Sequence, residues 1–170
     1  LKAKSQLAKK SVGSDISLHS DASIEHYDSG KYGNIADPRN AMDMTPSHLA
    51  RTPEVLEVLY SFGANLASQD QNGRSPLFVA CAMNRESCTE YIINSLDREG
   101  QTDEIYGKDR RGDTALHAAA CNGSVDCLLL LLQYGIDPTV SNGKNLKAID
   151  LAARNGQAKC RDLLAEYHLH

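Results

Sequence analysis

The chain has 170 residues, of which 41% are apolar and only 5% aromatic, with no Trp, and it carries a formal net charge of −4. That length bounds it to one globular domain, or one domain with a tail, whose core is built from Leu, Ala, Ile and Val in closely packed small helices. The charge balance gives no general pull toward a nucleic-acid backbone, which needs a basic face. The longest apolar run, Cys127 to Leu132, is too short for membrane insertion.

The N-terminus, Leu1-Lys2-Ala3-Lys4, opens without Met and has no apolar block behind it. No secretory signal is read there, and the chain is expected to be a piece of a longer protein. The five cysteines (Cys81, Cys88, Cys121, Cys127, Cys160) form no CxxC and no Cys/His zinc pattern. They read as reduced thiols in an intracellular protein, cytoplasmic in the first place with the nucleus as the alternative. No metal and no cofactor are expected.

Residues 1–32 differ in composition from the rest. Ser recurs at 5, 11, 14, 17, 20, 23 and 29, among Lys early and Asp later, which reads as a linker or weakly ordered segment. Lys9-Lys10-Ser11 offers a kinase site, set against a plain solvated linker. The alternative is a degenerate N-terminal repeat with Ser23 to Lys31 as a poor second helix. Its support is that Gly33 lies twelve residues before Thr45, as Gly63 lies before Ser75 and Gly135 before Lys147.

Four segments then overlay when the chain is slid on itself. They are Thr45-Pro46-Ser47-His48-Leu49-Ala50, Ser75-Pro76-Leu77-Phe78-Val79-Ala80, Thr114-Ala115-Leu116-His117-Ala118-Ala119 and Lys147-Ala148-Ile149-Asp150-Leu151-Ala152. Their starts are 30, 39 and 33 residues apart. The first unit has lost three residues between its helices, where Pro53 opens the second; the second unit carries six extra in Asp97 to Lys108. Thr45, Ser75 and Thr114 suit a helix N-cap, and the Pro after Thr45 and Ser75 suits the first turn.

Each second helix presents an apolar stripe: Val55, Leu56, Val58 and Leu59; Cys88, Tyr91, Ile92 and Ile93; Cys127, Leu128, Leu130 and Leu131; Cys160, Leu163 and Leu164. Cys88, Cys127 and Cys160 share one repeat position, with Val55 as its counterpart, so the position reads as a small buried hydrophobe rather than a metal ligand. No unit can bury such a stripe alone, so stacking must supply stability. Lys159, Arg161, Asp162 and Glu166 make the last unit's outer side polar, as a terminal cap requires.

These segments resemble ankyrin repeats, whose signature is a turn, Thr-Pro-Leu-His with an Ala pair, a Gly loop and a second helix ending in Gly-Ala-Asp. Phe62-Gly63-Ala64-Asn65 and Tyr134-Gly135-Ile136-Asp137 are two such endings. The resemblance covers residues 33–168 and implies an all-α ankyrin-repeat solenoid of helix–turn–helix units with hairpin-like tips. Its repeats run at about 40–69, 70–108, 109–141 and 142–168. It also implies that His48 and His117 hydrogen-bond around the caps; Phe78 and Asp150 replace them in the other two repeats.

Function is expected on the concave face made by tips and first helices, where such stacks hold other proteins. Carried over position by position, the tip candidates are Met42, Met44, Gln71, Arg74, Arg110, Arg111, Asp113 and Lys144. The first-helix candidates are Met83, Arg85, Asn122 and Arg154, with Cys121 beside them. Arg74, Arg110, Arg111 and Lys144 make the tips basic on an acidic chain, which points to an acidic partner protein or peptide. Ordinary solvated tips are the alternative. The insert, where Ile105 and Tyr106 sit among Asp97, Glu99, Asp103 and Glu104 as candidate partner anchors, is a second candidate surface, set against a plain tolerated loop insertion. No catalytic motif stands apart from the repeat, so the chain is not read as an enzyme. The rival function is a regulatory ankyrin domain of a larger enzyme or channel whose active part lies elsewhere. Self-association through an open end stays as a further option.

Overall fold

The computed structural model describes residues 37–167. The N-terminal segment weighed above as linker or degenerate repeat, together with Lys9-Lys10-Ser11, lies outside them. The described residues form eight α-helices in four antiparallel pairs: α1 (Pro46–Leu49) with α2 (Pro53–Ser61), α3 (Pro76–Ala82) with α4 (Glu86–Arg98), α5 (Ala115–Asn122) with α6 (Val125–Gln133), and α7 (Ala148–Arg154) with α8 (Ala158–Tyr167). The odd-numbered helices pack on one another in order, as do the even-numbered ones, which gives the stack an inner and an outer row.

The inner helices start where the caps predicted. Thr45, Ser75 and Thr114 hold extended backbone at the N-cap, with Pro in the first turn after Thr45 and Ser75. The three residues missing from the first repeat shorten α1 to four residues. The extra residues of the second repeat lengthen α4 to 13 and add a 3-10 helix, Thr102–Tyr106.

One continuous core runs between the two rows. Leu77, Leu116, Ala119, Ala120, Ala148 and Ala152 line its inner side, and Leu56, Ile92, Leu96, Leu128, Leu131 and Leu164 its outer side. The small residues let the inner helices approach closely, and dispersion contacts do the rest. Cys88, Cys127 and Cys160 are buried as expected, at 0–1% exposure. Cys88 Sγ lies 3.8 Å from the Ala50 carbonyl and Cys127 Sγ 4.0 Å from the Ala80 carbonyl, so each is covered by the preceding repeat. Burial pushes the Cys81, Cys88 and Cys160 thiols up, which keeps them protonated.

Two sequence expectations need correction here. Val55 is not buried like its Cys counterparts but 46% exposed, with Val58 beside it at 56%. The cover at that position comes from the preceding repeat, and the first described repeat has none before it among the described residues. Ile105 does not stand out as a partner anchor either. It is 2% exposed and belongs to the core, so only Tyr106 of that pair faces solvent. The insert's acids are partly committed: Tyr60 Oη donates to Glu99, and Tyr134 Oη donates to Asp97 at 3.2 Å.

Candidate protein-binding groove

The tips are four copies of one hydrogen-bonded finger. At its base an Asx side chain accepts two backbone N–H groups, two and four residues on. Asn40 Oδ1 takes Met42 and Met44 at 2.9 and 3.0 Å; Asp70 Oδ1 takes Asn72 and Arg74 at 2.8 and 2.9 Å. Asp109 Oδ1 takes Arg111 and Asp113 at 2.8 and 2.9 Å; Asn142 Oδ1 takes Lys144 and Leu146 at 2.9 and 3.0 Å. A short polar side chain can thus replace part of a backbone turn. Sequence reasoning missed these residues. The signal was there: each lies five positions before the cap of its repeat.

Adjacent fingers are joined by backbone bonds. Gln71 N–H donates to the Met42 carbonyl at 3.1 Å, Arg110 to Asn72 at 2.9 Å and Gly143 to Arg111 at 2.9 Å. The last of these needs glycine on both sides. A Cβ on Gly112 would stand 2.7 Å from Gly143 N, and one on Gly143 would stand 2.7 Å from the Arg111 carbonyl oxygen.

The predicted histidines do more than close their own caps. His48 Nδ1 accepts from the Thr45 N–H at 3.1 Å and from its hydroxyl at 2.9 Å, while Nε2 donates to the Arg74 carbonyl at 2.8 Å. His117 repeats this on Thr114, at 3.3 and 2.9 Å, and on the Leu146 carbonyl at 3.0 Å. Each His therefore ties its inner helix to the base of the next finger. Burial lowers the His48 pKa below its ordinary value despite the Arg74 carbonyl bond, so the ring is held neutral. In the last repeat Asp150 takes over the local part of the task, accepting from Lys147 N–H at 2.8 Å.

Fingers two to four and the inner helices enclose a groove with a cavity of about 340 Å³. Phe78, Ala118, Cys121 and Leu151 supply its apolar surface; Arg74, Arg111, Lys144 and Arg154 supply cations; Asp109 and Asp113 supply carboxylates. Of the predicted site residues the structure brings together Arg74, Arg111, Asp113, Asn122, Lys144 and Arg154 here. Met42, Gln71, Met83 and Arg110 are exposed but lie outside this cavity.

Three predicted contacts change role. Met44 is 8% exposed and packs inward, because the finger turn places it at the cap rather than the tip. Arg85 turns back to the first repeat, donating to the Ala50 carbonyl at 2.9 Å, and thereby closes the C-terminal end of the short α1. Arg74 is paired with the buried Asp70 at 2.7 Å. Burial disfavours the Asp70 charge, but the Arg74 guanidinium and the Arg74 and Asn72 N–H groups outweigh it and hold the carboxyl below its usual range. The carboxylates of the groove are also in use: Asp109 holds its own finger, and Asp113 Oδ1 accepts from Asn142 Nδ2 at 2.6 Å.

The repeat geometry agrees with a family model for ankyrin repeats (3 copies), which matches residues 47–142 and 102–170. The chain belongs to the ankyrin-repeat family. It is 31% identical over 117 residues to the chicken (Gallus gallus) nuclear factor NF-kappa-B p105 subunit, covering 67% of this chain and 12% of that protein. It is 32% identical over 104 residues to the B-cell lymphoma 3 protein homolog of Mus musculus, covering 59% of this chain and 23% of that protein. With the ankyrin repeat protein nuc-2 of Neurospora crassa it shares 33% identity over 135 residues, 75% of this chain and 12% of that one. The chain thus spans less than a quarter of the length of these relatives. Ankyrin repeats generally serve as non-catalytic modules that hold other proteins. Among the described residues no helix is long and apolar enough to cross a membrane, and no group of three or more His, Cys, Asp or Glu could hold a metal ion.

Proposed function

We propose that this ankyrin domain binds a partner protein through an acidic peptide segment laid in the groove between fingers two to four and the inner helices. The observation that carries this reading is the charge imbalance of the groove's free groups. Arg111, Lys144 and Arg154 are exposed and have no carboxylate within ion-pair distance, whereas Asp70, Asp109 and Asp113 are each engaged in hydrogen bonds of the fingers. Unpaired cations beside an apolar floor favour a ligand carrying carboxylates, to which Arg offers paired donors. The basic set is therefore Arg111, Lys144 and Arg154, with Arg110 on the rim; Arg74 serves the fold. A second reading keeps this groove but makes it a regulatory element of a longer enzyme or channel. The relatives it matches are several times longer than the matched stretch, which is the kind of arrangement that reading needs.

The test is capture of partners from cell extract by the wild-type chain and by the triple variant Arg111→Glu, Lys144→Glu, Arg154→Glu, each checked for helical content. The variant is expected to lose the wild-type partners. Retention of the same partners at the same yield would overturn the groove as the binding site.

A further inference from the structure

The row of bridges from inner helix to finger has one gap, and the gap opens into the groove. At fingers two and four the carbonyl at the finger base accepts two hydrogen bonds. Arg74 O takes Asp70 N–H at 3.0 Å and His48 Nε2 at 2.8 Å; Leu146 O takes Asn142 N–H at 2.9 Å and His117 Nε2 at 3.0 Å. At finger three the matching Asp113 carbonyl takes Asp109 N–H at 2.9 Å, and the residue placed to give the second bond is Phe78. Phe78 has no polar ring atom to offer. The helix cap is closed without it, since the Phe78 backbone N–H donates to Ser75 Oγ at 3.3 Å. A half-buried ring thus lines the cavity where the repeat pattern calls for a buried His.

The geometry points to Phe78 as the specificity-determining residue of this groove: it selects an acidic peptide that carries a large apolar or aromatic side chain among its carboxylates. This rests on the groove reading above. Phe78 and Arg111 both border the cavity, so an apolar side chain set on the ring leaves neighbouring carboxylates within reach of Arg111, Lys144 and Arg154. Aromatic pairing favours Phe or Tyr at that point of the ligand, and covering the solvent-facing part of the half-buried ring gives the preference its strength. A purely acidic segment would satisfy the cations and leave the ring uncovered.

The experiment uses the full chain and fluorescein-labelled peptides of four Glu flanking one central residue, Phe, Leu or Ala, read by fluorescence anisotropy. The proteins are wild type, Phe78→His and the triple charge variant, each checked by urea unfolding. Wild type is expected to bind the central-Phe peptide about tenfold more tightly than the central-Ala peptide, the order set by partial burial of one large apolar side chain. Phe78→His, which copies the residue of repeats one and three, is expected to keep its affinity for the Ala peptide and lose that preference. Equal binding of the Phe and Ala peptides by wild type would overturn the role of Phe78 while leaving the groove reading intact. Absence of binding by any acidic peptide, or binding unchanged in the triple variant, would overturn both.

Discussion

Replacing His117 by Ala tests whether repeats are fastened to one another through the finger bases. The imidazole is 1% exposed and makes three contacts: Nδ1 to the Thr114 N–H and hydroxyl, Nε2 to the Leu146 carbonyl. Each such neutral bond contributes about 0.5–1.5 kcal/mol net, and the buried Thr114 N–H left behind costs about 1–3 kcal/mol. The vacated ring space adds a packing loss. With partial rehydration the expected loss is about 3 kcal/mol, a large share of the ~5–15 kcal/mol that holds a typical domain. His117→Phe, which copies position 78, keeps the volume and loses the bonds, so about 2 kcal/mol is expected there. Urea unfolding followed by far-ultraviolet circular dichroism reads both. A loss below about 0.5 kcal/mol in both variants, no more than an ordinary surface substitution, would refute the bridge as a fastening between repeats three and four.

Gly112→Ala places a Cβ against Gly143 N on backbone at φ +80°. It is expected to cost about 1–2 kcal/mol for the left-handed conformation alone and to weaken peptide binding by parting fingers three and four, measured by unfolding and anisotropy on the same sample. Ser47 Oγ is buried without a hydrogen-bond partner in the position that Leu77 and Leu116 fill elsewhere. Ser47→Ala is therefore expected to raise stability by about 1 kcal/mol in urea. Ile105→Ala should cost about 2–5 kcal/mol, since the insert is anchored in the core by that side chain; calorimetry would show the lowered midpoint. His48 gives the pH dependence. Its folded pKa lies below the ordinary 6.5, so just under that pH the unfolded chain binds more protons and stability falls as pH falls. The loss sets in as pH falls through the ordinary histidine value and continues toward the lower folded value, read by urea unfolding at a series of pH values. His48→Phe should flatten that part of the profile.

Much of this fold could be read in the sequence because its caps, Pro positions and apolar stripes repeat in phase. Thr45, Ser75 and Thr114 begin inner helices, Pro53 begins α2, and the shortened first repeat yields a four-residue α1. What escaped was set by neighbours rather than by local pattern. Val55 and Cys88 have equivalent positions in their helices, yet Cys88 is covered by the preceding repeat and Val55 is not. The site was legible in outline only. Arg74, Arg110, Arg111 and Lys144 look alike as tip residues in the sequence. Only the structure distinguishes an Arg74 whose guanidinium pairs with Asp70 from an Arg111 whose guanidinium forms no ion pair. Met44 and Arg85 were chosen by their offset from the cap, and the Asx turn and the open end of α1 assign them structural tasks. Phe78 was visible as a departure from the His pattern, but its meaning depended on the Asp113 carbonyl, 35 residues away.

The most direct measurement is amide hydrogen–deuterium exchange of the full chain, with and without the central-Phe acidic peptide at saturation. Binding in the groove predicts slowed exchange in fingers three and four, residues 109–113 and 142–146, and in α5 and α7, with the outer helices α4 and α6 unchanged. Protection confined to the outer helices or to the 3-10 insert would contradict the account.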